Sequence, residues 1–364
     1  MSAGVAERST AGLPLAFSVP TGTTPQGGVS ASVHVPATSA NLGPGFDALG
    51  LALAYGDELV ASVAAGSPAG DLVHISGEGE GCLPADGSHL AARTIRDAWD
   101  AWGVDHAGVA LTLSATNRTP HGRGQGSSAA VIVAALTAAA ALLPEGQRPG
   151  RDDVFELAAR IEGHPDNVAP AVYGGLTISW GGEDGAAAPA PRGESAEGRV
   201  FRTAVLRPHE DLVALVAIPD VKLATALARG LLPAQLPHAA AAANSGRSAL
   251  LIHALTAAPE LLGVATEDRL HESFRAPAMP ASAALIGALR EQGFAATVSG
   301  AGPTVLVLAR AGEEAELAKA QLRRLTEAAG DTRVGAEGEA VNWRVLEPGL
   351  DTAGATVIVH RTVG

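Results

Sequence analysis

The spacing of apolar residues along the chain predicts a mixture of strands and helices. Residues Leu90 to Trp102 place Ile95, Ala98 and Trp99 on one face, which is the pattern of an amphipathic helix. Val29 to Val35 alternates weakly between apolar and polar residues and predicts a first strand. Further strands are predicted at 51–64, 109–113, 176–180, 212–218, 295–298, 304–308, 341–346 and 355–360, and further helices at 127–143, 152–161, 221–231, 239–257, 281–292 and 313–329.

These elements do not alternate strictly, and no internal repeat is visible, so the pattern favours an α+β fold over a doubly wound parallel sheet. Residues 1–28 are rich in Ser, Thr, Gly and Pro and predict a disordered extension. Residues 186–199 combine Gly, Ala, Pro and charge without periodicity and predict a linker or loop. A chain of 364 residues suggests two domains, which we place at 29–185 and 200–364.

The composition excludes several classes of protein. A net charge of -13 argues against nucleic acid or an anionic membrane as the main partner. Lysine occurs only as Lys222 and Lys319, and neither follows a glycine, so a Walker-type phosphate loop and Schiff-base chemistry have no donor. The single cysteine, Cys82, excludes an internal disulfide and a cysteine-rich zinc site.

The location that we expect is the cytoplasm. One cysteine fits a reducing compartment, and the N-terminal residues lack the basic and apolar regions of a secretory signal. The longest apolar run, Ala129 to Leu143, is too short to span a bilayer and predicts a buried helix. We therefore expect no membrane partner.

A glycine-rich loop between a strand and a long helix offers an anion site. In residues 120–130 (PHGRGQGSSAA), alternating glycines allow the backbone to approach a ligand closely, and Ser127 and Ser128 lie where the helix begins. The alternative is a turn with an ordinary serine cap. The spacing differs from the dinucleotide fingerprint, because residue 127 is serine, and it is not a hydrolase nucleophile elbow.

An acidic and histidine-containing segment follows this helix. Glu156 lies eight residues before His164, which opens the sequence His-Pro-Asp-Asn ending at Asn167. Magnesium at nucleotide sites takes one or two protein oxygens with phosphates and water, so one glutamate and one serine suffice. Glu162 is a rival ligand by chemistry alone. The structural alternatives are a solvated helix face for Glu156 and a capping turn at His164.

Four segments together resemble one family. Residues 36–47 (PATSANLGPGFD) resemble the first signature of homoserine kinases, and residues 164–170 (HPDNVAP) narrow the resemblance to that family. Residues 120–130 resemble the ATP-binding signature of the GHMP kinase superfamily, and residues 298–304 (VSGAGPT) resemble its third signature. The resemblance extends in order from about Val29 to the last strands.

The resemblance implies a two-domain α+β GHMP kinase fold with the active site between the domains. It implies ATP as co-substrate, magnesium as cofactor, L-homoserine as substrate, threonine biosynthesis as the pathway, and allows a homodimer. Carried over by position, it assigns magnesium to Ser128 and Glu156, and the spacing of Glu156 to His164 favours Glu156 over Glu162. It assigns the ATP phosphates to Pro120, His121, Gly122, Arg123, Gly124, Gln125, Gly126, Ser127, Ser128, Ala129 and Ala130. It assigns the substrate to Asn41, Asp47, Thr225, Arg229 and Arg275, and the catalytic positions to His164, Asp166 and Asn167.

The chemistry of homoserine agrees with these residue types. A carboxylate calls for the planar fork of arginine, and Arg229 and Arg275 are available; an ammonium group calls for a carboxylate, which Asp47 offers. Related GHMP kinases use an aspartate as base where this chain has Asn167. We therefore expect no strong side-chain base, with the γ-phosphate, or weak help from His164, taking the proton.

One departure and two alternatives accompany this prediction. Gln125 stands where the family commonly has an aliphatic residue, and we expect a small effect, on packing at the adenine side. The alternatives are another GHMP small-molecule kinase, acting on mevalonate or a sugar, and a nucleotide-binding regulator without catalysis. The segment His-Pro-Asp-Asn and the two substrate arginines argue against the first. Retention of Ser128, Glu156, Asp47 and both arginines argues against the second.

Overall fold

The computed structural model describes residues 17–65, 70–182, 200–330 and 341–361. The strands are β1 (Val29–Ala40), β2 (Leu49–Ala65), β3 (Leu72–Gly77), β4 (Val109–Asn117), β5 (Leu176–Gly182), β6 (Val200–Leu206), β7 (Leu212–Pro219), β8 (Ala295–Val298), β9 (Val305–Arg310), β10 (Trp343–Leu346) and β11 (Thr356–Arg361). The helices are α1 (Leu90–Trp102), α2 (Ser127–Ala141), α3 (Arg151–Glu162), α4 (Val168–Tyr173), α5 (Thr225–Gly230), α6 (His238–Thr256), α7 (Leu262–Ala265), α8 (Glu272–Arg275), α9 (Pro280–Glu291) and α10 (Glu313–Gly330).

The larger sheet has seven strands in the described chain. Its main path runs β11-β1-β2-β4-β3, and β5 pairs with β2 and then with β6. Only the β3–β4 pair is parallel among these pairings. Helices α1 to α4 cover one face, and α2 lies in the centre of that layer with most of its residues buried. Small alanine side chains allow α2 to pack closely against β1 and its neighbouring helices.

The smaller sheet is antiparallel, in the order β10-β7-β9-β8. Its central strands β7 and β9 are buried on both faces, which explains their nearly continuous apolar sequences. One face packs against α9 and α10. The other face packs against α6, α7 and residues of β2, so one apolar cluster joins the two sheets.

The prediction of an α+β fold is confirmed, and α1 has the predicted bounds. The predicted domain limits do not coincide with the sheets, because β6 and β11 come from the range 200–364 but pair in the larger sheet. The predicted linker at 186–199 lies outside the described residues. No helix in the described part of the chain combines the length and the hydropathy that crossing a bilayer requires.

The prediction of a disordered extension over 1–28 needs correction for its second part, since residues 1–16 lie outside the described residues. Residues 17–28 lie against the first domain. The Val19 amide donates to the Trp102 carbonyl at 2.9 Å, and Gln26 donates to Leu142 at 2.9 Å. Phe17 meets the Trp102 ring edge-on at 6.4 Å. Apolar residues within this Ser- and Pro-rich segment therefore hold it to the helical layer.

Candidate active site

The glycine-rich loop leads directly into the N-terminus of α2. Gly126 is the N-cap residue and provides no side-chain cap. The Ala130 amide donates to the Gly126 carbonyl at 2.9 Å, so the amides of Ser127, Ser128 and Ala129 precede the first helical hydrogen bond. Amides in this position carry the positive end of the helix dipole. The serine-capped turn that the sequence left as an alternative does not form, because the N-cap residue is Gly126. The free amides at the start of the helix suit an anion.

Two of the loop glycines are required by close contacts. A Cβ atom at Gly126 would lie 1.9 Å from the Thr38 hydroxyl oxygen, and one at Gly124 would lie 2.2 Å from the Ser299 carbonyl oxygen. Both residues also have positive φ, 68° and 73°. The loop is thus held between β1 and the turn that follows β8.

Gln125 is buried and ties this loop to both neighbours. Its amide nitrogen donates to the Ser299 hydroxyl at 2.9 Å, and its amide oxygen accepts from the Tyr55 hydroxyl. Burial raises the pKa of Tyr55, which keeps that hydroxyl protonated and able to donate. Gln125 therefore positions the loop through hydrogen bonds, which an aliphatic residue could not form.

The loop between β1 and β2 holds Asp47 in a fixed place. Asn41, Leu42 and Asp47 all have positive φ (69°, 53° and 57°), which is uncommon for residues with side chains. Asn41 stabilises this conformation: its Nδ2 donates to the Gly300 carbonyl at 2.7 Å, and its Oδ1 accepts from the Asp47 amide at 2.9 Å. Asn41 therefore organises the loop from within, in addition to lying on the cavity wall.

Two arginines meet over one aromatic ring. The guanidinium carbons of Arg229 and Arg275 lie 5.6 Å and 5.3 Å from the centre of the Phe46 ring. Arg275 is only 2% exposed, although it is charged. Cation–π attraction offsets part of the repulsion between the two like charges. The pair forms a positive region on the wall of the cavity.

Asp47 balances this positive region. Arg229 donates to both Asp47 carboxylate oxygens, at 2.7 and 2.8 Å, so the ion pair is bidentate. Both side chains remain partly exposed, at 41% and 34%. A zwitterionic ligand, with one positive and one negative group, has a matching partner for each charge at this point.

His164 and Asp166 form a second ion pair. His164 Nδ1 lies 3.1 Å from Asp166 Oδ1. Burial favours the neutral ring, but the hydrogen bond and the negative charge of Asp166 outweigh it and raise the pKa of His164 to about 9. Burial opposes ionisation of Asp166 too, yet the bond from His164 lowers its pKa. His164 is thus protonated at neutral pH, and it cannot accept the proton that the sequence analysis allowed it to take.

Asn167 follows this pair and faces the loop. Its side-chain oxygen accepts from the Thr38 hydroxyl at 2.8 Å, and its backbone amide donates to Asp166 at 3.0 Å. Its side-chain nitrogen donates to the Asp166 carboxylate at 3.5 Å, so the Asn167 side chain is held between Thr38 and Asp166. Asn167 does not offer a base, because an amide does not take up a proton near neutral pH.

The glutamate that meets Ser128 differs from the predicted one. Ser128 donates to Glu162 at 2.8 Å, and Glu162 lies on the cavity wall. Glu156 instead forms an ion pair with Arg160 at 2.5 Å and does not line the cavity. Six residues along a helix correspond to about 600°, which turns the two glutamates to different sides. The predicted Ser128–Glu156 pair is therefore not formed in this arrangement.

One cavity of about 450 Å³ joins these parts, with walls from both halves of the chain. The predicted residues on its wall are Asn41, Asp47, Pro120, His121, Gly122, Gly124, Gln125, Gly126, Ser127, Ser128, His164, Asp166, Asn167, Thr225, Arg229 and Arg275. Four predicted residues are elsewhere. Ala129 and Ala130 are buried in the core, Arg123 donates to the Asp220 carbonyl at 3.1 Å, and Glu156 is paired as above.

The wall also contains residues that were not predicted from the sequence: Leu83, Pro84, Ser88, His89, Leu90, Arg93, Asn117, Val131, Gly300 and Ala301. Gly300 and Ala301 belong to the segment 298–304 and could have been selected with it. The residues from Leu83 to Arg93 offered no motif, because chain topology alone brings the start of α1 beside the glycine-rich loop.

Comparison with known proteins identifies the family to which this chain belongs. The model of the N-terminal domain of GHMP kinases matches residues 89–175, and that of the C-terminal domain matches residues 247–328. A homoserine kinase of Streptomyces avermitilis is 47% identical over 90% of this chain and 95% of its own length. One of Leifsonia xyli is 46% identical over 91% of this chain and 92% of its own.

Solved structures agree with this placement. The crystal structure of homoserine kinase from Cytophaga hutchinsonii has a TM-score of 0.73 and 26% identity, covering 90% of this chain and 97% of that one. The mevalonate kinase of L. major, in complex with R-mevalonate, has a TM-score of 0.55 at 16% identity, covers 92% of this chain and 98% of its own, and shows the fold alone. By its matched domains and its curated relatives, the chain belongs to the homoserine kinases of the GHMP kinase family.

Proposed function

We propose that this protein transfers the γ-phosphoryl group of ATP to the side-chain hydroxyl of L-homoserine, forming O-phospho-L-homoserine and ADP. The observation that carries the proposal is one cavity lined both by an uncapped helix N-terminus and by a paired carboxylate and arginines. The first suits a chain of phosphates, and the second suits an amino acid. The reaction supplies threonine biosynthesis, and we place it in the cytoplasm.

The nucleotide is proposed to lie along the glycine-rich loop. Its phosphates would meet the first amides of α2, where no acidic side chain of the first turn repels them. Leu83, Pro84 and Val131 give the neighbouring wall an apolar character that suits the adenine ring. Gln125 supports this arrangement by fixing the loop to Tyr55 and Ser299.

Homoserine is proposed to lie between Asp47 and the arginines. Its ammonium would replace Arg229 as a partner of Asp47, and its carboxylate would meet Arg229 and Arg275. Thr225, at the start of α5, also lines the cavity. Anchored at both charges, the substrate would extend its hydroxyl towards the phosphates, and such positioning is the main source of rate enhancement in phosphoryl transfer.

The proton of the attacking hydroxyl is proposed to go to the transferred phosphoryl group. The hydroxyl oxygen forms a bond to the γ-phosphorus while the bond from that phosphorus to the β–γ bridging oxygen breaks, and ADP leaves with the electron pair. His164 carries its own proton at neutral pH and Asn167 has an amide, so neither competes for this one. The positive ring of His164 would instead attract the phosphates electrostatically.

Magnesium is proposed to bind beside Ser128. The fit is chemical: a hydroxyl and a carboxylate oxygen already lie 2.8 Å apart, and magnesium prefers such oxygen donors together with phosphates. When bound, the ion would neutralise charge on the phosphates. Glu162 is in place for this role, whereas Glu156 would first have to leave Arg160.

Substitution of each glutamate assigns the carboxylate. We expect the variant that removes the ligand, Glu162→Gln or Glu156→Gln, to need at least about tenfold more magnesium for half-maximal turnover, while the other stays close to the parent. The measurement is a magnesium titration at saturating ATP and homoserine. Unchanged magnesium dependence in both variants would contradict a glutamate ligand in α3.

An ADP-release assay tests the activity itself. Homoserine, mevalonate, galactose and shikimate are compared at equal concentrations with ATP and magnesium. We expect saturable, magnesium-dependent turnover with homoserine and at least about a hundredfold lower kcat/KM with the others, because they lack the ammonium that Asp47 would bind and also differ from homoserine in shape. Preference for mevalonate or galactose would replace homoserine as the substrate, and nucleotide binding without turnover would indicate a regulator.

A further inference from the structure

A buried histidine lies behind the proposed carboxylate site without lining the cavity. His271 immediately precedes α8 and is 0% exposed. Its Nε2 lies 2.9 Å from the carbonyl oxygen of Gly43, and its Nδ1 lies 3.1 Å from Nη1 of Arg275. The Phe46 ring lies 5.2 Å from the imidazole ring. One side chain therefore links the loop that carries Asp47 to the arginine behind it.

These two contacts determine where the proton of the ring lies. A carbonyl oxygen only accepts, so Nε2 must donate to Gly43; a guanidinium nitrogen only donates, so Nδ1 must accept from Arg275. A second proton, on Nδ1, would face the N–H of Arg275. Burial lowers the pKa of His271 in spite of Asp268, whose Oδ1 is 3.7 Å from Nε2. The ring is thus neutral, with its proton on Nε2.

The hydrogen bond from Arg275 to His271 determines which nitrogens of the Arg275 guanidinium group remain without a partner. Nη1 of Arg275 is held twice, by His271 and by the Gly300 carbonyl at 3.1 Å. Its Nε is buried without a partner, and Nη2 makes no hydrogen bond to the part of the chain that the structure describes. A guanidinium group can bind a carboxylate in a bidentate manner on its Nη1–Nη2 edge or on its Nε–Nη2 edge, and with Nη1 engaged the second edge is the one that remains. A buried, unpartnered N–H is costly unless a ligand satisfies it.

We infer that His271 is a positioning residue for substrate recognition: as a neutral Nε2–H ring it fixes Nη1 of Arg275 and thereby presents the Nε–Nη2 edge to the carboxylate of the substrate. The inference rests on the proposed function, because it names what orients a residue of the homoserine site. His271 does not touch the substrate itself. It acts through Arg275, and at the same time through Gly43 it keeps the Asp47 loop in register with that arginine.

Three substitutions separate the two hydrogen bonds. His271→Ala removes both; His271→Asn places an acceptor near the Nδ1 position; His271→Gln places a donor near the Nε2 position but no acceptor for Arg275. Ser273→Ala is the matched control, since Ser273 is exposed on the same short helix. The steady-state constants for homoserine and for ATP are measured for each full-length variant, together with thermal unfolding.

We expect His271→Ala to raise the KM for homoserine at least about tenfold, with the KM for ATP unchanged, because only the orientation of Arg275 is lost. His271→Asn should recover at least half of that loss on a logarithmic scale, whereas His271→Gln should not. Side-chain ¹⁵N NMR of the parent should show a neutral ring protonated on Nε2. If the alanine variant does not fold, the comparison of the Asn and Gln variants decides.

An unchanged KM for homoserine in a folded alanine variant, equal effects of Asn and Gln, or an equal loss for ATP and homoserine would each overturn the inference. A ring protonated on Nδ1 would overturn it as well. These outcomes differ from failure of the proposed function, which would appear in the parent enzyme as the absence of homoserine-dependent ADP release.

Discussion

Replacing Asp47 by asparagine removes one charge from the proposed substrate site and leaves its shape unchanged. In the structure, both oxygens of Asp47 accept from Arg229 at 2.7 and 2.8 Å. We expect little effect on folding, because both side chains are partly exposed and such pairs contribute at most about 1 kcal/mol. The effect should fall instead on the substrate ammonium.

The size of that effect follows from the exchange of partners. A hydrogen bond to a charged group contributes about 1.5–3 kcal/mol. Opening the Asp47–Arg229 pair in the parent costs up to about 1 kcal/mol, which reduces the net difference to about 2 kcal/mol. This corresponds to a loss of roughly thirtyfold in kcat/KM for homoserine in Asp47→Asn.

The assay compares homoserine with 4-hydroxybutyrate, which has the same carboxylate and hydroxyl but no ammonium. The parent should prefer homoserine by roughly thirtyfold, and the variant should show almost no preference, with the KM for ATP unchanged. A variant that keeps the full preference for homoserine would refute the assignment of Asp47 to the ammonium. A uniform loss with both substrates would indicate a role in folding the loop.

Two further predictions concern the phosphate loop and the histidine pair. Gly126→Ala should weaken ATP binding at least about tenfold, because its Cβ would lie 1.9 Å from the Thr38 hydroxyl. Gly122→Ala is the control and should have a smaller effect, because no atom lies nearer than 3.7 Å to its Cβ. Fluorescence titration with an ATP analogue measures the affinity of both variants. The pKa of His164 rises to about 9 from a usual value of about 6.5, so its ion pair with Asp166 stabilises the fold fully below about pH 6.5 and loses that contribution as pH rises through about 9. Unfolding midpoints against pH should show this decline in the parent and not in His164→Asn, and identical profiles would contradict it.

The elements that the sequence predicted well are those with strong local patterns. Helix α1 has a clear apolar face and ends at Gly103, whose left-handed conformation closes it. Strands β3 and β6 were missed, because each has a single fully buried residue and therefore a weak apolar pattern. The pairing of β11 with β1, nearly the whole chain apart, has no local signature at all.

Some residues of the candidate site could likewise be predicted from local sequence, whereas others depend on the folded structure. The glycine-rich loop and the segment from His164 to Asn167 could be selected because their chemistry lies in contiguous residues. The choice between Glu156 and Glu162 could not be made, since it depends on how α3 is turned towards Ser128. The protonation of His164 likewise depends on burial beside Asp166, which residue types alone do not give.

The central claim is that phosphates at the start of α2 face an amino acid held by Asp47 and the two arginines. A crystal structure with homoserine and a non-hydrolysable ATP analogue tests it most directly. We predict density for the triphosphate on the amides of Ser127 and Ser128, with the homoserine carboxylate on the Nε–Nη2 edge of Arg275 and its hydroxyl towards the γ-phosphate. Phosphate density elsewhere, or homoserine bound with its carboxylate away from both arginines, would contradict the account.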